Sequence, residues 1–132
     1  MTSISRRTLL GLGSAAMLML ATAAGAVERA PFDRAAFDAA VAAGGPVLVD
    51  VYAPWCTTCR AQSKALDALF AGPEYAAYQV FVVDYDSEKD VMRSFGTSQR
   101  STLIVFSGGR ETGRLIGDTQ RDTIEALLAG GL

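Results

Sequence analysis

An α/β fold built on a mixed sheet is what the 132-residue sequence predicts, and three observations carry that reading. Residues 47–52 and 79–85 are short, apolar, β-branched runs joined through a helical stretch, the pattern of two parallel strands and their crossover. Gly108-Gly109 separates two further strand-like runs, residues 102–106 and 111–116, as a tight antiparallel hairpin requires. Helical patterns precede, divide and follow these strands, which leaves the sheet at the centre.

The chain opens with a segment that is not part of this fold. Arg6-Arg7 stands before an apolar, Ala/Gly-rich run that ends near Ala24-Gly25-Ala26, a small-x-small cleavage pattern. Residues 1–26 therefore resemble an export signal of the twin-arginine type, which implies a folded domain delivered to the periplasm. An uncleaved inner-membrane anchor is the alternative, because residues 9–27 approach the length that spans a bilayer; the many alanines and glycines make it a weak one.

Cleavage there leaves residues 27–132, enough for one domain and too few for two, expected to act as a monomer. Without Arg6 and Arg7 the domain holds ten basic residues against fourteen acidic ones, a net charge of −4, which argues against nucleic acid as a partner. The chain has no histidine, so proton transfer falls to carboxylates or thiols.

Residues 27–31 read as a short lead. Asp33 is placed to cap a helix through residue 43, with Phe37, Ala40 and Val41 on one face, and Gly44-Gly45-Pro46 stops it. After the strand at 47–52, a helix runs to about residue 70 with Ala65, Leu66, Leu69 and Phe70 inward. Ala71-Gly72-Pro73 breaks it, and residues 74–78 are expected to add one helical turn. Ser87 and Asp90 resemble a capping box for a short helix ending at Gly96, and residues 119–128 form a closing amphipathic helix with Ile124, Leu127 and Leu128 inward.

Chemistry is expected where the strand at 47–52 ends. Cys56 and Cys59 are the only cysteines, and two intervening residues allow both sulfurs to lie on the first turn of a helix. Partial positive charge at a helix N-terminus favours thiolate, lowering the pKa below the free value of roughly 8.5. Cys56 is then a nucleophile, and Cys59 the thiol that resolves its mixed disulfide. Two other readings of the pair stay open: an inert disulfide, and a metal or iron–sulfur centre shared between two copies, since one copy has neither a histidine nor a third cysteine to complete a site.

The run Val49-Asp50-Val51-Tyr52-Ala53-Pro54-Trp55-Cys56-Thr57-Thr58-Cys59 resembles the active-site segment of thioredoxin-like proteins. Residues 101–109, Ser-Thr-Leu-Ile-Val-Phe-Ser-Gly-Gly, are similar to that family's later strand and hairpin, with Gly117 at its expected glycine. The resemblance implies a thioredoxin-like three-layer α/β/α sandwich with a central mixed sheet. It further implies a thiol–disulfide oxidoreductase without cofactor or metal. Its partners would be disulfide-bearing envelope proteins, with a membrane thiol-electron transporter as donor. Oxidation or reshuffling of disulfides is the alternative direction. A peroxiredoxin is disfavoured, because Val49 and Ala53 stand where that family has proline and threonine.

By the same resemblance Asp50 relays a proton to or from Cys59, and an acid inside an apolar strand is expected to have a raised pKa. The cation that the family often places on the adjacent strand aligns with Val82, so Asp50 is expected to be harder still to ionise. Trp55, Arg100, Ser101 and Thr102 are expected to meet the substrate, and Thr57 and Thr58 to tune the potential. Lys64 takes the place of the family's helix-kinking proline. Ser101 replaces its cis-proline, so the Arg100–Ser101 bond is expected to be trans, its hydroxyl and the Arg100 charge favouring a Cys56 thiolate.

Overall fold

The computed structural model describes residues 26–132. The export signal read at residues 1–26 lies, all but its last residue, outside the described residues. No helix among the described residues is long and apolar enough to cross a membrane.

Five strands and four helices follow in the order β1 (Arg29–Pro31), α1 (Arg34–Ala42), β2 (Val47–Tyr52), α2 (Thr57–Phe70), β3 (Gln79–Asp84), α3 (Lys89–Ser94), β4 (Thr102–Ser107), β5 (Arg110–Ile116) and α4 (Arg121–Ala129). The sheet order is β1-β3-β2-β4-β5. β1, β3 and β2 run parallel, β4 is antiparallel to β2, and β5 to β4. The expected mixed sheet and three-layer sandwich are both present.

Strand alternation sorts the two cores. Val47, Val49 and Val51 face α1 and α3, where they pack with Phe37, Phe81, Met92 and Ile104. Leu48 faces the other way, joining Leu66, Leu69 and Phe70 of α2, Ile124 and Leu128 of α4, and Val80, Leu103 and Val105 of the sheet. Asp50 shares the parity of Leu48 and so points toward the α2 side. β2, like its neighbours β3 and β4, has a core on each face, and it is buried along all but its last residue, which is why its sequence is almost uniformly apolar.

Local signals explain most boundaries. Asp33 Oδ1 accepts a hydrogen bond from the Ala36 amide at 2.8 Å and caps α1 as expected. Gly108 and Gly109 both take positive φ, 61° and 82°, the conformation a two-residue hairpin turn needs and glycine supplies without strain. With Lys64 in place of proline, α2 runs unbroken from Thr57 to Phe70.

Three expectations are corrected. The lead at 27–31 contains an edge strand: Arg29, Ala30 and Pro31 pair with Val80, Phe81 and Val82. Proline is tolerated because an edge strand needs only one row of ladder bonds. Residues 74–78 form turns and no helix, held by Ala76 N to Pro73 O and Tyr78 N to Tyr75 O. Tyr75 and Tyr78 leave the surface to join the α2 core, and the Tyr78 hydroxyl donates to Leu128 O at 2.6 Å. That anchor fixes the segment more tightly than helix propensity would. Finally, α3 starts from Glu88, which makes no side-chain cap; Glu88 Oε1 instead accepts from the Asp84 amide, and the acidic turn at 84–88 displaces the expected Ser87 capping box.

Candidate active site

Cys56 and Cys59 form a disulfide at the N-terminus of α2, with their Cα atoms 5.2 Å apart. Cys56 is the N-cap residue: its backbone is extended, and its sulfur accepts from the Cys59 amide at 3.1 Å. A sulfur in this position receives one of the unpaired amides of the first turn and sits at the positive end of the helix. Both cysteines are buried with Ala53, under Tyr52 and Tyr85.

Ser101 lies directly against the pair. Its Oγ is 3.2 Å from Cys56 Sγ and 3.1 Å from Cys59 Sγ, and against a disulfide the hydroxyl is the only possible donor of the three. The Arg100–Ser101 bond is trans, as expected for serine, and Ser101 has φ of 58°, the only positive value outside glycine among the described residues. Its backbone is pinned on both sides. The Ser101 amide donates to Val51 O at 2.9 Å, a bond that proline at this position would lack, and Ser101 O accepts from the Gly117 amide and from Gln62 Nε2. A left-handed residue costs about 1 kcal/mol or more, and these bonds hold it there.

Gln62 was not among the residues singled out from the sequence. Fully buried, it donates through Nε2 to Ser101 O at 3.1 Å and to Asp118 O at 2.9 Å, tying α2 to the loop that carries Ser101. A signal for it existed: Cys59, Gln62, Leu66 and Leu69 follow the three-and-four spacing of an inward helix face, so a polar residue in that stripe needs a buried partner.

Trp55 is 53% exposed beside the disulfide. Its indole N–H donates to Asp86 Oδ2 at 2.9 Å, its ring meets Tyr85 edge-on at 5.9 Å, and the Arg100 guanidinium lies over it at 5.2 Å. Arg100 therefore stacks on Trp55 instead of lying bare beside Cys56, because an aromatic face offers a cation a better partner than a neutral disulfide does. Thr57 is exposed at the head of α2. Thr58 lines a shallow cleft of about 190 Å³ with Gln99, Arg100, Ser101, Ile116 and Gly117. The Thr102 side chain is fully buried, and its hydroxyl donates to Gln99 O at 2.7 Å. That hydroxyl ties the strand to the loop before it.

Asp50 is buried to 1% exposure, and its Oδ2 has no hydrogen-bond partner. Desolvation pushes its pKa up from 3.8 to about 6; Arg29 pulls it down and Asp67 pushes it up, both to lesser extents. Val82 does stand opposite Asp50 on β3, as aligned. Asp50 is hard to ionise, as expected, although β1 brings a cation from another strand: Arg29 lowers the pKa without overcoming desolvation.

The thioredoxin family profile matches residues 28–130. The chain belongs to the thioredoxin family. Among curated relatives of this thioredoxin domain, a thioredoxin from Alicyclobacillus acidocaldarius is 36% identical over 93 residues, covering 70% of this chain and 88% of that protein. One from Chlamydia muridarum is 34% identical over 87 residues, covering 66% and 83%. Among solved structures, Trxlp from Edwardsiella tarda EIB202 is 42% identical with a TM-score of 0.73, covering 76% of this chain and 98% of that one. Family membership and the Cys56–Cys59 pair make this protein a thioredoxin-like disulfide oxidoreductase. In thioredoxin terms the segment at 49–59 and the loop at 101 meet at one place, the N-terminus of α2.

Proposed function

We propose that this thioredoxin works in the bacterial envelope as a reductant of protein disulfides. The observation that carries the chemistry is the Cys56–Cys59 pair at a helix N-terminus with one hydroxyl in reach of both sulfurs. Cys56, whose sulfur already receives the Cys59 amide, is the nucleophile, since that amide and the Ser101 hydroxyl favour negative charge on it. Its thiolate attacks one sulfur of a partner disulfide; a new S–S bond forms, the partner's bond breaks, and the electron pair leaves on the partner's other sulfur, which takes up a proton. Cys59, its proton accepted by Asp50, then attacks Cys56 Sγ and expels the second partner thiolate. Two electrons have passed to the partner, and the disulfide seen here is the product.

Trp55 and the cleft at Thr58, Arg100 and Ser101 provide the docking surface around the pair, and Thr57 and Thr58 set part of the potential. Residues 1–26 support export by a twin-arginine path, and the donor that restores the dithiol is a membrane thiol-electron transporter.

The test is the full chain with Cys59→Ser expressed in a Gram-negative bacterium. A shortened form in the periplasmic fraction, joined through Cys56 to envelope proteins, is the expected result. Retention in the cytoplasm would remove the envelope from the reading. Equilibration of the wild type with glutathione decides direction: a potential above that of glutathione makes the protein an oxidant and overturns reduction.

Ser101→Ala tests the hydroxyl. A hydrogen bond to a charged group contributes about 1.5–3 kcal/mol, so its loss is expected to lower the thiolate fraction of Cys56 by about tenfold or more at neutral pH. Alkylation of the reduced protein by iodoacetamide as a function of pH reads this directly; an unchanged profile would show that the hydroxyl merely fills space.

A further inference from the structure

Asp50 opens onto a cleft of about 370 Å³ lined by Arg29, Asp50, Tyr52, Ser63, Asp67 and Val82. Two atoms of its lining residues, Asp50 Oδ2 and Ser63 Oγ, are buried without a partner. At the same cleft Arg29 is held twice: its guanidinium pairs with Asp67 Oδ1 at 3.1 Å and donates to Ser63 O at 3.1 Å. The register explains how a residue from the edge of the sheet arrives there. Arg29 pairs with Val80, and Val80 with Leu48, so all three project to the α2 side that Asp50 also faces.

We propose that Arg29 is a positioning residue for disulfide exchange, setting the charge on Asp50 across this cleft while Asp67 holds the guanidinium and moderates its effect. The inference rests on the reading of Asp50 as the proton acceptor for Cys59. The charged and titratable groups around Asp50 are few. β1 contributes Arg29, α2 contributes Asp67 and the Cys59 thiol of the reduced form, and β2 itself contributes Tyr52. The register neighbours on β3 and β4 are Val82 and Leu103, which carry no charge. With a neutral residue opposite the acid, the cation one strand further out is the one group that makes ionisation of Asp50 easier. The Arg29–Asp67 pair is half open to water, since Asp67 is exposed, so it can be altered without unpacking the core.

The test is the titration of the Asp50 carboxyl in the full chain, followed by carbon-13 NMR and assigned with Asp50→Asn. Arg29→Met is expected to move the midpoint upward, Arg29→Lys to restore most of the wild-type value, and Asp67→Asn to move it downward. The pH profile of insulin reduction should move in the same directions, and these shifts should vanish in an Asp50→Asn background. The opposite signs separate an electrostatic role from a structural one, and Asp67→Asn keeps the test open if Arg29→Met folds poorly. An unmoved midpoint in both variants, or shifts of the same sign, would overturn the proposal. If instead Asp50→Asn reduced insulin with the wild-type profile, the relay reading would fail while the titration shifts stood.

Discussion

Replacing Cys56 with serine is expected to drop insulin reduction to the uncatalysed background, a loss of about 10⁴-fold or more, because the hydroxyl cannot take part in disulfide exchange. Cys59→Ser is expected to lose turnover as completely but by a different route. Cys56 can still attack, so a mixed disulfide forms once, and nothing then resolves it. The two variants are told apart by mass spectrometry after exposure to a disulfide-bearing protein: Cys59→Ser accumulates a covalent adduct and Cys56→Ser does not. The proposed order of roles follows from the position of each sulfur. Cys56 sits at the cap, where its sulfur accepts an amide, whereas Cys59 Sγ lies inside the first turn, 3.9 Å from Val51 O and deeper in the sheet. An adduct on Cys59 in the Cys56→Ser protein, with none in the reverse variant, would invert the assignment.

The parts of this arrangement that were legible in the sequence are those fixed by local rules. The strand Val47–Tyr52 emerged with its observed bounds and the following helix with its observed end at Phe70, because an apolar β-branched run ending before Pro54 and an inward stripe ending at Gly72-Pro73 leave little choice. The cysteine spacing and the lone acid in β2 marked the chemistry for the same reason: each breaks the local pattern and calls for an explanation. What escaped were features decided by partners distant in sequence. β1 is three residues long and contains proline, and only the exposed edge of β3 makes it a strand. Arg29 consequently looked like a residue in a lead when it is the cation nearest in effect to Asp50. Residues 74–78 have helical propensity, but Tyr75 and Tyr78 gain more by reaching α2 and α4 than by closing a helical turn. Gln62 lies between: its stripe was readable, its bond to Ser101, 39 positions away, was not.

Asp50→Asn is expected to stabilise the protein at alkaline pH and to leave it unchanged in acid. The carboxyl has a pKa of about 6 in the folded chain against 3.8 when free, so between those values the native state holds a proton that the unfolded state has lost. Stability therefore falls as pH rises through that window, and the deficit is complete above it. A rise of about two units corresponds to roughly 3 kcal/mol, and the group is buried enough for the conversion to apply without a large correction for solvent. Asparagine keeps the shape, leaves the same oxygen position without a partner, and carries no charge to desolvate. Urea unfolding at pH 8 should accordingly show the variant more stable by about 3 kcal/mol, with the difference gone by about pH 4. Equal stability of the two proteins at pH 8 would mean that water or Arg29 already solvates the carboxylate and that its pKa is close to normal. On the proposed relay through Asp50, the same substitution is expected to slow resolution by Cys59. A gain in stability with a loss in resolution would mark Asp50 as a residue that trades stability for the proposed proton relay.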